Sequence, residues 1–462
     1  MQPHLRAWKQ SFFDKYLSGE SIDYRQIISL FIPILIDQAF LVSLSLVNTA
    51  MISSSGVVAV SAVNMIDSLN IFLISVFIAV STGATIVVAQ YKGSGNNLMV
   101  SKAASSSVSS VFLFALCISL FVFVFHQPAL NILFGSASPE LLAKAKVYLI
   151  GSSMSYVGIA IVEAVCGAMR GIGKTRASLV LSLLMNLTYV LLNILFINFL
   201  HMGVHGMVIA VNVSRYLAAA FAIFFLMKMD TNLHVQIRDM FHLNFPMIKR
   251  IMFIGLPIAA EQMFFNGGKI ITQMFIVSLG TYAIATNAIS SSFASLSQIP
   301  SNALALTLIT VVGQSMGRRN VDDAKKFTKS FLWLSSFSFI LMGLIIIPLF
   351  HPLVGLFHPP ADIVDDIFTI VLINIIAQIP LWSISFIMPS ALRASGDSKF
   401  TSIIALLSMW LFRIVLGYIL GIVLHFGIIG VWLAMNCEWG VRGTIFLWRF
   451  YGKKWYQHRL ID

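Results

Sequence analysis

Runs of apolar residues long enough to cross a bilayer recur from one end of the chain to the other, and no other feature constrains the fold as strongly. A helix needs about 20 predominantly apolar residues to span the hydrocarbon core. Such runs stand near residues 27–51, 64–90, 103–125, 146–168, 177–199, 203–227, 251–279, 285–314, 328–350, 366–391, 400–424 and 427–448. The alternation that marks a membrane barrel is absent, which leaves helices to satisfy the backbone hydrogen bonds inside lipid. The sequence therefore predicts an all-α polytopic membrane protein with twelve transmembrane helices. Only 10% of the 462 residues are charged, against roughly 25% in an ordinary soluble domain, so a water-facing surface of normal polarity is excluded. A polar stretch of 26 residues precedes the first run. That run is too long for the core of a signal peptide, and none is expected.

The net charge of +12 follows from topology. With the N-terminus inside, 24 of the 30 Lys and Arg fall on one side: in the head, around residues 92–102, 170–176, 228–250, 318–329 and 393–399, and in the tail from 449 onward. Lys144 and Lys146 stand on the opposite side. Cytoplasmic loops carry the excess of Lys and Arg, so both termini are expected in the cytoplasm of a cell-membrane protein with an even number of spans. The bilayer accounts for the basic residues, and nucleic acid is not expected as a partner. Cys117, Cys166 and Cys437 all lie within apolar runs and lack any disulfide or zinc spacing. They read as small hydrophobes.

The chain also repeats itself. Shifted by 224 residues, Pro33, Asp37 and Gln38 fall on Pro257, Glu261 and Gln262, and Gly56 and Ala59 on Gly280 and Ala283. The same shift places Gln90 and Gly93 on Gln314 and Gly317, and Leu200, His201, Gly203 and Gly206 on Leu424, His425, Gly427 and Gly430. A shift of 223 places Arg170, Gly173 and Thr175 on Arg393, Gly396 and Ser398. Each half holds six runs, an even number, so the copies share one orientation and form two pseudo-symmetric six-helix lobes. Transporters built from repeats bind substrate at the repeat interface and rock one repeat against the other. The expected organisation is a cytoplasmic segment over 1–26, an N-lobe over 27–227, a cytoplasmic linker over 228–250, a C-lobe over 251–448 and a cytoplasmic tail over 449–462.

Four motifs carry a further likeness. They are Arg-x-x-Gly-Lys/Asp-Thr/Ser at 170–175 and 393–398, Gly-Leu-Pro-Ile-Ala-Ala-Glu-Gln at 255–262, Gly-x-x-Ala-x-Ala-x-Asn-Ala at 280–288 and Gly-x-x-Gly-Val-Trp-x-Ala-Met at 427–435. With the twelve spans and the repeat, they resemble the multidrug and toxic compound extrusion (MATE) family over about residues 25–450. The resemblance implies a V-shaped pair of lobes that exports organic, often cationic, compounds in exchange for Na⁺ or H⁺. In the better-studied bacterial branches the N-lobe ion site uses an Asp late in the first span and an Asp in the fifth. The matching positions here are Asn48 and Asn193, which carry no charge. Glu261 stands where the family places an acid in the seventh span, about one turn earlier than in some members.

A charge at the bilayer centre costs at least about 2.5–3.5 kcal/mol, so each one inside an apolar run needs a reason. Asp37 lies roughly 15 Å into the membrane at about 1.5 Å per residue, and Pro33 frees backbone groups one turn before it. It can hold a proton or a sodium ion, or be a neutral, hydrogen-bonded structural carboxyl. Glu261 repeats the arrangement after Pro257, as an ion-coupling or substrate contact. Lys269 lies about 12 Å further along a regular helix, to neutralise an acid across the cavity or to join a structural ion pair. Asp67 is near the outer end of the second span, as a cation contact at a cavity mouth or a solvated helix end. Glu163 reads as a structural partner of Arg170 or Lys174, and Glu438 of Arg442 and Arg413, while Arg215 shows no evident partner. Asn48, Asn186, Asn193 and Asn212 could offer neutral oxygens around Asp37, as hard cations prefer, or serve as interhelical hydrogen bonds. Gln38, Gln262, Met263, Phe264 and Phe265, beside the two acids, are candidates to line the cavity as an adaptable apolar surface.

No phosphate-binding Gly-x-x-x-x-Gly-Lys-Ser/Thr loop is present, so the chain is not its own ATPase. His126, His201, His205, His351, His358 and His425 stand at outer span ends, apart from any nucleophile pattern, and neither an enzyme nor a cofactor is expected. The expectation is a monomeric secondary active antiporter that exports small organic, cationic or amphipathic compounds by alternating access. A flippase for a lipid-linked or amphipathic metabolite is the alternative, which cationic cavity residues such as Lys269 and Arg413 would favour. A lone midplane carboxyl needs no cage to exchange a proton. H⁺ is therefore preferred as the coupling ion over Na⁺ held by Asp37, Asn48 and Asn193.

Overall fold

The computed structural model describes residues 13–52, 57–134, 138–228, 235–458 and 460–461, and their secondary structure is helical without strands. Helices follow the twelve apolar runs: α1 (Tyr24–Ile52), α2 (Val57–Gly93), α3 (Asn97–Phe134), and α4, in which Pro139–Met154 and Tyr156–Ile172 are bent by 42°. Then come α5 (Thr175–Phe199), α6 (Gly203–Lys228), α7 (Phe245–Ser278), α8 (Thr281–Gly317) and α9 (Val321–Ile346). The series ends with α10 (Ala361–Ala394), α11 (Ser398–Val423) and α12 (Gly427–Tyr451). Among the described residues nine of these are long and apolar enough to cross a membrane, or ten with the bent pair taken as one span. The other two are α7 and α12, which carry Glu261 with Lys269 and Glu438 with Arg442. Large apolar side chains face outward: Ile132 is 83% exposed, Trp333 78% and Phe199 72%. Only a lipid surrounding makes such a surface favourable.

The repeated motifs have repeated backbone geometry. Helix α4 ends at Gly173 with φ 99° and α10 is followed by Gly396 with φ 106°. At each stop the glycine N–H bonds back to the Arg carbonyl three residues earlier, Gly173 to Arg170 at 3.0 Å and Gly396 to Arg393 at 2.9 Å. The next N–H reaches one residue further back, Lys174 to Met169 and Asp397 to Leu392. Left-handed backbone after a helix favours glycine, which has no Cβ to clash, and this explains why glycine is the fixed member of Arg-x-x-Gly. Helices α5 and α11 likewise finish in π-helical turns at Ile194–Phe199 and Ile419–Val423.

By compactness the chain forms two units, one of Ala39–Ala259 and the other of the chain up to Gln38 with everything from Ala260 onward. Both divisions fall inside helices, shortly after Pro33 in α1 and Pro257 in α7. In the first unit Gly83 of α2 and Gly255 of the Gly-Leu-Pro motif let α7 approach α2 closely: a Cβ on Gly83 would lie 2.7 Å from the Gly255 nitrogen, and one on Gly255 3.0 Å from the Val80 Cα. Small residues at such crossings take the place of the hydrophobic drive that lipid removes. Arg250, in the first turns of α7, donates to the Tyr91 hydroxyl near the end of α2, and the Ser109 hydroxyl of α3 donates to the Met240 carbonyl in the segment before α7.

In the second unit residues just before α1 and just after α12 are held against the turns that follow α8 and α10. The Ser21 N–H and hydroxyl donate to the Asp323 carboxylate at 2.7 and 2.6 Å, and Arg318 donates to the Glu20 carbonyl at 3.2 Å. After α12, Trp455 is fully buried and Ser395 donates to its carbonyl at 2.8 Å. Arg449 holds buried Asp397 at 2.7 and 3.2 Å.

Candidate functional site

In the second unit the carboxylate of Glu261, on α7, is gripped by Arg393 from the end of α10. Arg393 Nη2 donates to Glu261 Oε1 at 2.8 Å and Oε2 at 2.7 Å, and Ser402 of α11 donates to Oε2 at 2.9 Å. Arg393 Nε bonds the Thr401 hydroxyl at 3.2 Å. Glu261 is 9% exposed, so the pair survives largely out of water, where a lone carboxylate would not be tolerated. Glu261, Gln262 and Phe265 line a cavity of about 100 Å³ with Phe386, Arg393 and Arg442.

A second buried group lies between α11 and α12. Glu438, fully buried, contacts Arg413 Nη2 at 2.7 Å and Arg442 Nη1 at 2.9 Å. Arg442 Nε also donates to Ser385 at 2.8 Å, and its guanidinium stacks over Phe386 at 4.3 Å. Arg413 belongs to the π-helical turn Met409–Leu416 and Ser385 to the π-helical turn Ser383–Ile387. Such turns re-aim side chains and gather at functional places. Lys269 does not pair with Glu261: its ammonium lies over the Phe265 ring at 4.8 Å, and Arg413 flanks the same ring at 5.2 Å. Lys269 and Arg413 line a larger cavity of about 270 Å³ with Gln273, Asn287, Trp432 and Met435.

The first unit has its own polar centre. Asp67 accepts from the Tyr148 hydroxyl at 2.9 Å and from Asn70 Nδ2 at 3.2 Å. Asn70 Oδ1 accepts from Tyr156 at 2.6 Å and Ser152 at 3.1 Å. Arg215 of α6 donates to Ser155 at 2.6 Å, beside the bend of α4, and shares this electrostatic neighbourhood with Asp67, Tyr148, Tyr156 and Tyr189. Asn193 is 1% exposed and adjoins Tyr189. Thus Asp67 sits inside a hydrogen-bonded cluster, and Arg215 has found its surroundings there.

Of the other candidate residues, Asp37 and Gln38 are partly buried on α1 in the second unit, and Asn48 falls outside the residues whose side chains are described. Met263 and Phe264 are 43% and 50% exposed and line neither of the two cavities above. Asn212 donates to the Gly151 carbonyl at 2.8 Å and Asn186 to the Ser182 carbonyl at 2.9 Å. Glu163 lies 4.0 Å from Arg170. Sequence reasoning did not anticipate Arg393 as the partner of Glu261, nor the tyrosines around Asp67. Tyr148, Ser152 and Tyr156 recur every fourth residue, which is the spacing of one helix face, and that polar stripe was the available signal.

The MatE family profile matches residues 33–197 and 257–419, one copy in each half of the repeat. The chain belongs to the MATE family. A MATE relative, the uncharacterized transporter YisQ of Bacillus subtilis, is 26% identical over 434 residues, covering 92% of this chain and 93% of its own. The probable multidrug resistance protein NorM of Thermotoga maritima is 25% identical over 460 residues, 97% of each chain. Among solved structures, an outward-facing multidrug resistance MATE transporter of the MOP superfamily superposes with a TM-score of 0.84 at 18% identity, covering 92% of this chain and 95% of that one. A MOP superfamily transporter from Pyrococcus furiosus, described as having a binding pocket of reverse polarity, gives 0.82 at 19% identity with the same coverage. The MATE fold of twelve transmembrane helices in two lobes is therefore the fold of this multi-pass membrane protein.

Proposed function

We propose that this MATE protein is a monomeric antiporter of the cell membrane, with both termini in the cytoplasm, that exports small amphipathic organic compounds in exchange for protons by alternating access. Family membership and the multidrug resistance names of its relatives support the export of organic compounds. The observation that carries the choice of ion is the chemistry around the carboxylates. Asp67 is faced by a tyrosine hydroxyl and an amide NH₂, and Glu261 by a guanidinium and a serine hydroxyl. All four donate to the carboxylates in this arrangement, whereas a bound Na⁺ asks for several acceptor oxygens turned toward it. A carboxylate in a ring of donors can take up or release a proton as those donors rearrange. A second reading, the flipping of a lipid-linked or amphipathic metabolite, draws on Lys269 and Arg413 sharing one cavity wall.

Efflux of a fluorescent cation and of a fluorescent organic acid from sealed vesicles, with pH and sodium gradients imposed separately, tests the proposal. A pH gradient at equal sodium should drive export, and a protonophore should abolish it. Export driven by a sodium gradient at equal pH, unaffected by the protonophore, would refute proton coupling.

A further inference from the structure

The larger cavity of the second unit is lined by two cations and, among the described residues, by no carboxylate. Lys269 and Arg413 both line it and both lie over the Phe265 ring, at 4.8 and 5.2 Å, so two like charges share one wall. Arg413 is only partly neutralised. Its partner Glu438 also holds Arg442, so one negative charge is divided between two guanidiniums and the triad keeps a net positive charge. The Nε of Arg413 is buried without a hydrogen-bond acceptor.

Trp432, Asn287 and Gln273 of the neutral lining have the same polarity. An indole N–H can only donate, and Trp432 donates to Asn287 Oδ1 at 3.1 Å. That turns the Asn287 NH₂ toward Gln273, whose oxygen accepts at 3.5 Å, and the amide hydrogens of Gln273 end the chain as donors. Val431 and Met435 supply apolar wall beside these groups. The volume of about 270 Å³ is close to the lower end of small-ligand sites, roughly 300–1,000 Å³.

We propose that this cavity binds the acidic group of an amphipathic ligand, a carboxylate, sulfonate or phosphate ester joined to an apolar body. Lys269 and Arg413 flank the anion, with Trp432 and Met435 against the apolar part. The proposal deepens the transport reading, because it names the charge class of the substrate.

The full-length protein in phosphatidylcholine nanodiscs is titrated with radiolabelled 2-naphthoate and, in parallel, with 2-naphthylmethylammonium, similar in size and opposite in charge. Naphthoate should bind at least about ten-fold more tightly, the scale of one charge-assisted hydrogen bond. Lys269→Gln should weaken naphthoate about ten-fold, Lys269→Glu should reverse the preference, and Lys269→Arg should retain it, which excludes misfolding as the cause of the loss. Equal or tighter binding of the cation by the unaltered protein, or naphthoate affinity unmoved by Lys269→Glu, overturns the proposal. Adding phosphatidylglycerol to the nanodiscs separates two sources of the acidic group: competition assigns the cavity to a lipid phosphate, and its absence to a soluble organic acid. No gradient is imposed, so failure of this binding leaves ion-coupled export standing, and failure of antiport leaves the anion site standing.

Discussion

Glu261 and Arg393 show what a single charged pair does in a setting with little water. Removing one partner from a buried pair costs about 3–5 kcal/mol, while replacing both is often nearly neutral. Arg393→Ala should therefore lower the apparent Tm of the detergent-solubilised protein markedly, and Glu261→Gln with Arg393→Gln should recover most of the loss. A double variant no more stable than Arg393→Ala would show that the pair does not hold this region together. Asp37→Asn keeps the shape of its side chain and removes its charge, so it should express normally and transport poorly. Full transport by that variant would remove Asp37 from the coupling step. The acids themselves were visible in the sequence, because charge inside an apolar run is conspicuous. Their partners were less so: Arg393 reads as a loop cation until α10 is seen to aim it back at α7, and no spacing rule reports a contact between residues 132 apart.

The helix stops are the clearest case of an element written into the sequence. Gly173 and Gly396 carry positive φ, and a side chain forced into the left-handed region costs about 1–2 kcal/mol. Gly173→Ala and Gly396→Ala should each destabilise by about that amount, with the larger loss at Gly396, where a Cβ would meet Leu460 and His458 at 3.0 and 3.2 Å. Proteolysis should also release the C-terminal tail faster in Gly396→Ala alone. Equal stability and equal tail protection in the two variants would deny the tail any hold on that turn. The twelve apolar runs and their order were legible for the same reason as the glycines, since lipid and backbone sterics act locally on the chain. The π-helical turns that present Arg413 and Ser385 were not, because the phase shift made by an extra residue does not show in a span that is apolar on nearly every face.

At the scale of the whole molecule, orientation can be checked directly. In a background lacking Cys117, Cys166 and Cys437, Tyr282→Cys and Pro360→Cys should react with an impermeant reagent on intact cells, whereas Gly95→Cys and Asn320→Cys should react only after permeabilisation. Labelling of the second pair on intact cells would invert the topology. The clasp of the N-terminal segment has a consequence of a different kind. Ser21 and Asp323 are separated by 302 residues, and at about 5–20 residues per second the ribosome takes roughly 15–60 s to make the stretch between them. Ser21 thus belongs to the unit whose larger part, from Ala260 onward, is made after the other unit. For that interval Ser21 has no Asp323 to bind, although the residues of the other unit, Ala39–Ala259, have already emerged. Insertion machinery or a chaperone that shelters the residues around Ser21 during this delay would act on a contact that has to wait for most of the chain.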